Sequence, residues 1–108
     1  MDNDPLCHGD WVRARVAAEF VACTDRMMDG GLRAVDVPFL TLHSVKDTFT
    51  DPEGSERLFR DARTPDKAYL KVGLGEDVDV DLWHAFSNEE GFEVPFAAAL
   101  EWIEAHVA

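Results

Sequence analysis

Val37-Pro38-Phe39-Leu40-Thr41-Leu42-His43 is a short, nearly continuous apolar run, and Ser44-Val45-Lys46-Asp47 leaves it as a loop. A run of this kind suits a strand covered on both faces, as in a parallel sheet. Pro38 has no backbone donor and belongs at the strand's first position. A second run, Lys67 to Val72, puts Ala68, Leu70 and Val72 on one side and stops at Gly73-Leu74-Gly75. Between the two, Asp51 reads as a helix N-cap, with Pro52 at the first helical position and Glu53 in the first turn. That helix runs to about Ala62, and Arg63-Thr64-Pro65-Asp66 breaks it. Strand, helix, strand implies a right-handed crossover between parallel strands.

The flanks extend the pattern. Val12, Val16, Phe20, Cys23 and Met27 recur at helical spacing on one face of a helix from about Trp11 to Met28. Arg13, Arg15, Glu19 and Arg26 take the other faces, and Asp29-Gly30-Gly31 closes the helix. A last helix spans about Val94 to Val107, with Phe96, Leu100, Ile103 and Val107 as its expected buried stripe. The order helix, strand, helix, strand, helix gives an α/β class with two parallel strands and about three helices. A chain of 108 residues holds one small domain. Its expected parts are a loop over 1–10, a helix and linker over 11–36, and a strand-helix-strand-helix core over 37–108.

The net charge of −12 repels phosphate backbones and excludes nucleic acid as a partner class. Cys7 and Cys23 do not make a disulfide framework and read as reduced thiols. Met1-Asp2-Asn3-Asp4-Pro5 has neither the basic nor the apolar region of a secretory leader, and no apolar run reaches the length of a membrane span. The expected setting is cytoplasmic, with peripheral contact to membranes.

Asp77-x-Asp79-x-Asp81 invites a divalent-cation reading. A calcium loop of the EF-hand type needs glycine at its sixth position and glutamate at its twelfth, and Leu82 and Asn88 stand there. The favoured reading is a solvated acidic loop, and the alternation with Val78, Val80 and Leu82 equally suits a strand or hairpin arm. A cation-binding module using the three aspartates is kept as the weakest functional reading.

Two loops carry the candidate chemistry. Asp47 follows the first strand, and Leu82-Trp83-His84-Ala85-Phe86 follows the second strand and the acidic stretch. An acid followed by a histidine, each in a loop after a strand, is the order of the later part of an α/β-hydrolase. The segment from Val37 to His43 together with Asp47-Thr48-Phe49-Thr50-Asp51-Pro52-Glu53-Gly54-Ser55 resembles plant monoacylglycerol lipase-like α/β-hydrolases, a group that includes caffeoylshikimate esterase-like enzymes. Leu58-Phe59 and Asp66-Lys67 are similar to that family's next helix and strand. Trp83-His84-Ala85 resembles its histidine turn, Glu101-Trp102-Ile103 its final helix, and Asp4-Pro5-Leu6 the stretch where its lid returns to the core.

The resemblance implies that these residues correspond to the C-terminal portion of the family's domain. It implies Asp47 as triad acid and His84 as triad base in the hydrolysis of a carboxylic ester, with no cofactor. The plain alternatives are a solvated loop aspartate and a surface histidine beside a packing tryptophan. No Gly-x-Ser-x-Gly turn occurs in the 108 residues. Of Ser44, Ser55 and Ser87 none sits on a glycine-flanked elbow; Ser44, which shares a loop with Asp47, is the least unsuitable substitute, and Cys7 and Cys23 are poorer. His43 reads as structural, and His8 and His106 as surface residues without partners in sequence.

Three departures from the family bear on the site. Ser44 stands where it usually has glycine, and the segment between Gly75 and Trp83 is several residues longer. The third and most serious is that the half of the family's domain carrying the nucleophile elbow is missing from these residues, so the chain is expected to be inactive by itself. A lipid-like ester would be its substrate once a missing half is supplied. A strand edge and helix faces left without cover are expected to bind a protein partner or a second copy.

Overall fold

The computed structural model describes residues 13–107. The expectations for the 1–10 loop, Cys7, His8, Trp11 and Val12 lie outside the described residues. The chain divides into two compact units, Met1–Gly31 and Leu32–Ala108.

The first unit is helix α1, Ala14–Met28, and Gly30 after it takes φ +95°, the left-handed conformation expected of a helix-closing glycine. The apolar face is present, but none of it is buried: Val16, Phe20 and Met27 are exposed, and so is Cys23. Cys23 therefore does not behave as a small core hydrophobe.

In the second unit, a short 3-10 turn, Gly31–Ala34, leads to strand β1, Phe39–Ser44. Helix α2, Pro52–Asp61, crosses over to strand β2, Lys67–Val72. The strands pair in parallel from Phe39 opposite Lys67 to Ser44 opposite Val72, so Pro38 falls just before the ladder. Asp51 caps α2 as its sequence requires, its carboxylate accepting from the Glu53 amide at 2.9 Å. The Lys71 ammonium ties β2 to α2 through Glu56 at 3.1 Å. Burial of β1 on both faces is not observed. Phe39 to His43 are half-buried and only Ser44 is fully covered, because each strand of a two-stranded sheet has one neighbour.

The core lies at the carboxyl end of the strands. Val72, Val78 and Leu82 are buried, and Leu42, Leu70, Val80, Phe86 and Ala98 pack around them. Val78 adds a single parallel bridge beside Val72, so the long connection folds back on the sheet and does not loop into solvent. Its valines and Leu82 turn inward. Its aspartates turn outward and bind specific groups: Asp77 accepts from the Lys71 amide at 2.9 Å, Asp79 from the Gly75 amide at 2.9 Å, and Asp81 pairs with Lys46. The exposed aspartates agree with the solvated-loop expectation, and the inward Val78 and Leu82 agree with the alternation noted beside it.

Helix α3, Glu93–Val107, also differs from expectation. Phe96, Leu100, Ile103 and Val107 are exposed. Pro95 is buried, and Ala98, Ala99 and Trp102 are half-buried at the same helical spacing. The face of Pro95, Ala98, Ala99 and Trp102 is thus the one that turns inward, and the stripe of Phe96, Leu100, Ile103 and Val107 points outward.

His106 is not without partners. Its Nδ1–H donates to the Trp102 carbonyl at 2.7 Å, its Nε2–H to Asp66 at 2.9 Å, and its ring stacks on Trp102 at 3.8 Å. Both ring nitrogens face acceptors, which favours the doubly protonated ring. The Trp102 carbonyl, and then Asp66, raise its pKa above 6.5. A raised folded-state pKa gives stability that is complete below the unfolded value and is lost as pH rises through the folded one. His106→Ala is therefore expected to lower the urea midpoint most at about pH 5 and least at about pH 9. A gap between variant and wild type that stays constant across that range would refute the linkage.

Candidate active site

Asp47 opens the turn after β1. Its amide donates to the Ser44 carbonyl at 3.2 Å, and its Oδ1 accepts from the amides of Phe49 and Thr50 at 2.8 and 2.9 Å. This local ring of bonds is the habit of aspartate in turns, and it consumes one carboxylate oxygen. The other oxygen, Oδ2, accepts from Thr50 Oγ1 at 2.8 Å and from His84 Nδ1 at 2.8 Å. The Asp47 side chain is 4% exposed. Burial pushes its pKa up, but the bonds from His84, Thr50 and Phe49 outweigh burial and hold it well below the usual carboxylate range. The group is an anion at neutral pH.

An ionised carboxylate can only accept, so His84 carries its proton on Nδ1. Its Nε2 has no hydrogen-bond partner among the described residues. The longer connection leaves His84 within reach of Asp47 because both ends of the histidine turn are tied down. The buried Ser44 hydroxyl donates to the Leu82 carbonyl at 2.6 Å, anchoring the residue two before His84 to the end of β1. Beyond it, the Glu89 carboxylate accepts from the amides of Trp83 and His84 at 2.7 and 3.0 Å. The Trp83 indole N–H donates to Thr48 at 3.1 Å, and the Phe49 ring lies 4.8 Å from the imidazole.

The pair borders a cavity of about 510 Å³, whose walls include Leu42, Ala85, Phe86, Phe96 and Ala99. Ser87 lines it too, but among the described residues no serine hydroxyl bonds to His84. Ser44 is occupied with Leu82, and Ser55 lies 2.6 Å from His43 Nδ1.

The two residues singled out in sequence, Asp47 and His84, are therefore in contact. His43 joins them, its Nε2 being 3.2 Å from Asp47 Oδ2, so its assignment to a purely structural role is incomplete. Thr50 and Glu89 were not legible as site residues, and Ser44, weighed only as a substitute nucleophile, instead anchors the histidine turn. Glu89 acts through backbone amides, which carry no residue signature, and Ser44 reaches across from another element. Asp77, Asp79 and Asp81 hold different groups, and among the described residues no three His, Cys, Asp or Glu side chains are placed to hold a metal ion.

Chemically, a histidine whose Nδ1–H is held by a buried carboxylate presents a basic Nε2 and stabilises the imidazolium formed when it accepts a proton. The acid–base half of a nucleophilic triad has this same arrangement. Residues 1–74, more than two thirds of the chain and including Asp47, match the family model described as serine aminopeptidase, S33. The chain belongs to this family of α/β-hydrolases. No curated protein and no solved structure gave a significant match. The three helices and two-stranded parallel sheet of this serine aminopeptidase-family member agree with part of an α/β domain. Among the described residues no helix is long and apolar enough to cross a membrane.

Proposed function

We propose that this S33-family chain supplies the acid, Asp47, and the base, His84, of a serine hydrolase acting on lipid-like carboxylic esters, in the manner of monoacylglycerol lipase-like enzymes. The observation that carries the reading is the 2.8 Å bond between His84 Nδ1 and Asp47 Oδ2, with Nε2 unengaged beside a cavity. The apolar side chains of Leu42, Ala85, Phe86, Phe96 and Ala99 around that cavity support an ester with an apolar group. The nucleophile and its oxyanion donors come from outside these 108 residues, since no serine among them stands on a nucleophile elbow.

In this reading the hydroxyl proton passes to His84 Nε2 as the oxygen attacks the ester carbonyl. Asp47 keeps the ring in the competent tautomer and offsets its new charge. His84 then returns the proton to the departing alkoxide, and water repeats the cycle on the acyl intermediate.

The 108-residue chain alone is expected to remain unlabelled by a fluorophosphonate serine probe. Labelling that disappears in His84→Ala would show a nucleophile within the chain and overturn the division of roles.

A second reading rests on a separate observation. Among the described residues the outer edge of β1 is unpaired, that of β2 is met only near its end by the Val78 bridge, and the apolar stripe of α3 is exposed: Phe96 53%, Leu100 55%, Ile103 49% and Val107 76%. These features favour association with a protein partner or a second copy, and a concentration-independent monomer mass in sedimentation would contradict self-association.

A further inference from the structure

We propose that His43 is a positioning residue for Asp47, and that the Ser55 hydroxyl reinforces the His43 tautomer able to do this. The proposal rests on the reading of Asp47 and His84 as acid and base.

The proton positions follow from the neighbours. His43 Nε2 lies 3.2 Å from Asp47 Oδ2, 3.2 Å from the Thr50 carbonyl and 3.4 Å from Thr50 Oγ1. The carboxylate and the carbonyl can only accept. The Thr50 hydroxyl already gives its proton to Asp47 Oδ2. His43 Nε2 must therefore carry a hydrogen. In the neutral ring Nδ1 is then bare, and Ser55 Oγ meets it at 2.6 Å as the donor. The side chain of His43 is only 14% exposed, so water does not readily replace these partners.

The consequence is a chain of contacts from α2 to the base. Ser55 donates to the bare Nδ1 of the tautomer that Asp47 and Thr50 require, and His43 Nε2–H adds a third donor to the oxygen already holding Thr50 and His84. Without the Ser55 hydroxyl Nδ1 loses its donor, and the preference for a proton on Nε2 is weakened, so that the Nδ1 tautomer is more often populated. A bare Nε2 would then face the carboxylate, lone pair against lone pair, and Asp47 would lose that restraint.

The test is imidazole ¹H–¹⁵N correlation spectroscopy on the ¹⁵N-labelled 108-residue chain at about pH 8, where unperturbed histidines are neutral. Wild type is expected to show His43 protonated on Nε2, and His84 protonated on Nδ1 and protected from exchange with water. In Ser55→Ala the His43 signals should move toward a tautomer average, and exchange of the His84 Nδ1 proton should quicken roughly tenfold. Ser55→Thr, which retains a hydroxyl, should restore both. A merely structural serine would not move the His43 tautomer.

Wild-type His43 protonated on Nδ1 would overturn the proposal without recourse to any variant. So would a folded Ser55→Ala protein with unchanged His43 tautomer and His84 exchange, and that result would leave the Asp47–His84 reading intact. A wild-type His84 lacking a protected Nδ1 proton would remove both.

Discussion

Asp47→Asn is expected to reverse the tautomer of His84 and abolish its use as a base. The direction follows from the turn. Oδ1 accepts from two backbone amides, so the carboxamide must leave its oxygen there and turn its NH₂ toward His84. Two donors cannot share the 2.8 Å contact now made with Nδ1. The imidazole proton therefore moves to Nε2, which can no longer accept one. In a protein that includes the nucleophile, the analogous substitution in a serine-protease triad indicates a loss of about 10⁴ in kcat. In the 108-residue chain the same event is read from the His84 ¹⁵N shifts, and a variant whose His84 still carries its proton on Nδ1 would contradict the account. The acid limb of stability should change as well. Asp47 is held below its ordinary pKa of 3.8, so its contribution is complete above that value and fades as pH falls through the lower folded one. Wild type and Asp47→Asn should converge in acid.

Leu82→Ala is expected to give the largest loss of stability. Leu82 is fully buried in a core of three buried residues, with few neighbours able to relax into the space. Leucine-to-alanine changes at such sites cost about 2–5 kcal/mol. A small domain has a total of only about 5–15 kcal/mol, and a chain with little core falls toward the lower end. Most of the cooperative unfolding transition seen by circular dichroism in urea should therefore vanish. Leu74→Ala is the control: Leu74 is 73% exposed, and its loss should change stability by no more than about 0.5 kcal/mol. A cost for Leu82→Ala as small as that of Leu74→Ala would mean that the core does not hold the fold. Site and core are coupled here. The Leu82 carbonyl receives the Ser44 hydroxyl, and His84 follows two residues later, so a relaxed Leu82 would also slacken the contact with Asp47.

The elements between Phe39 and Val72 were legible because each is specified locally. Asp51-Pro52-Glu53 starts a helix by its own capping chemistry, an apolar run begins after Pro38, and Gly73 follows the end of the second run. The docking face of α3 was not legible. Periodicity locates an apolar stripe, but Phe96, Leu100 and Ile103 compete with Pro95, Ala98 and Trp102 for the inward position. That contest is settled by how close the neighbouring surface lies, which periodicity does not encode. In the acidic connection the exposure of Asp77, Asp79 and Asp81 was legible from composition, whereas the depth to which Val78 and Leu82 are buried was not.

The residue string by itself determined the α/β order, the parallel crossover, and the placing of Asp47 and His84 after successive strands. Those properties depend on side-chain type and short-range spacing. Only the folded chain decided that Asp47 Oδ2 meets His84 Nδ1, that Ser44 and Glu89 hold the histidine turn, and that His43 joins the pair with Ser55 behind it. Each of those contacts spans separate elements, and whether two such groups meet depends on sub-ångström packing of the segments between them. No local pattern of residues specifies it.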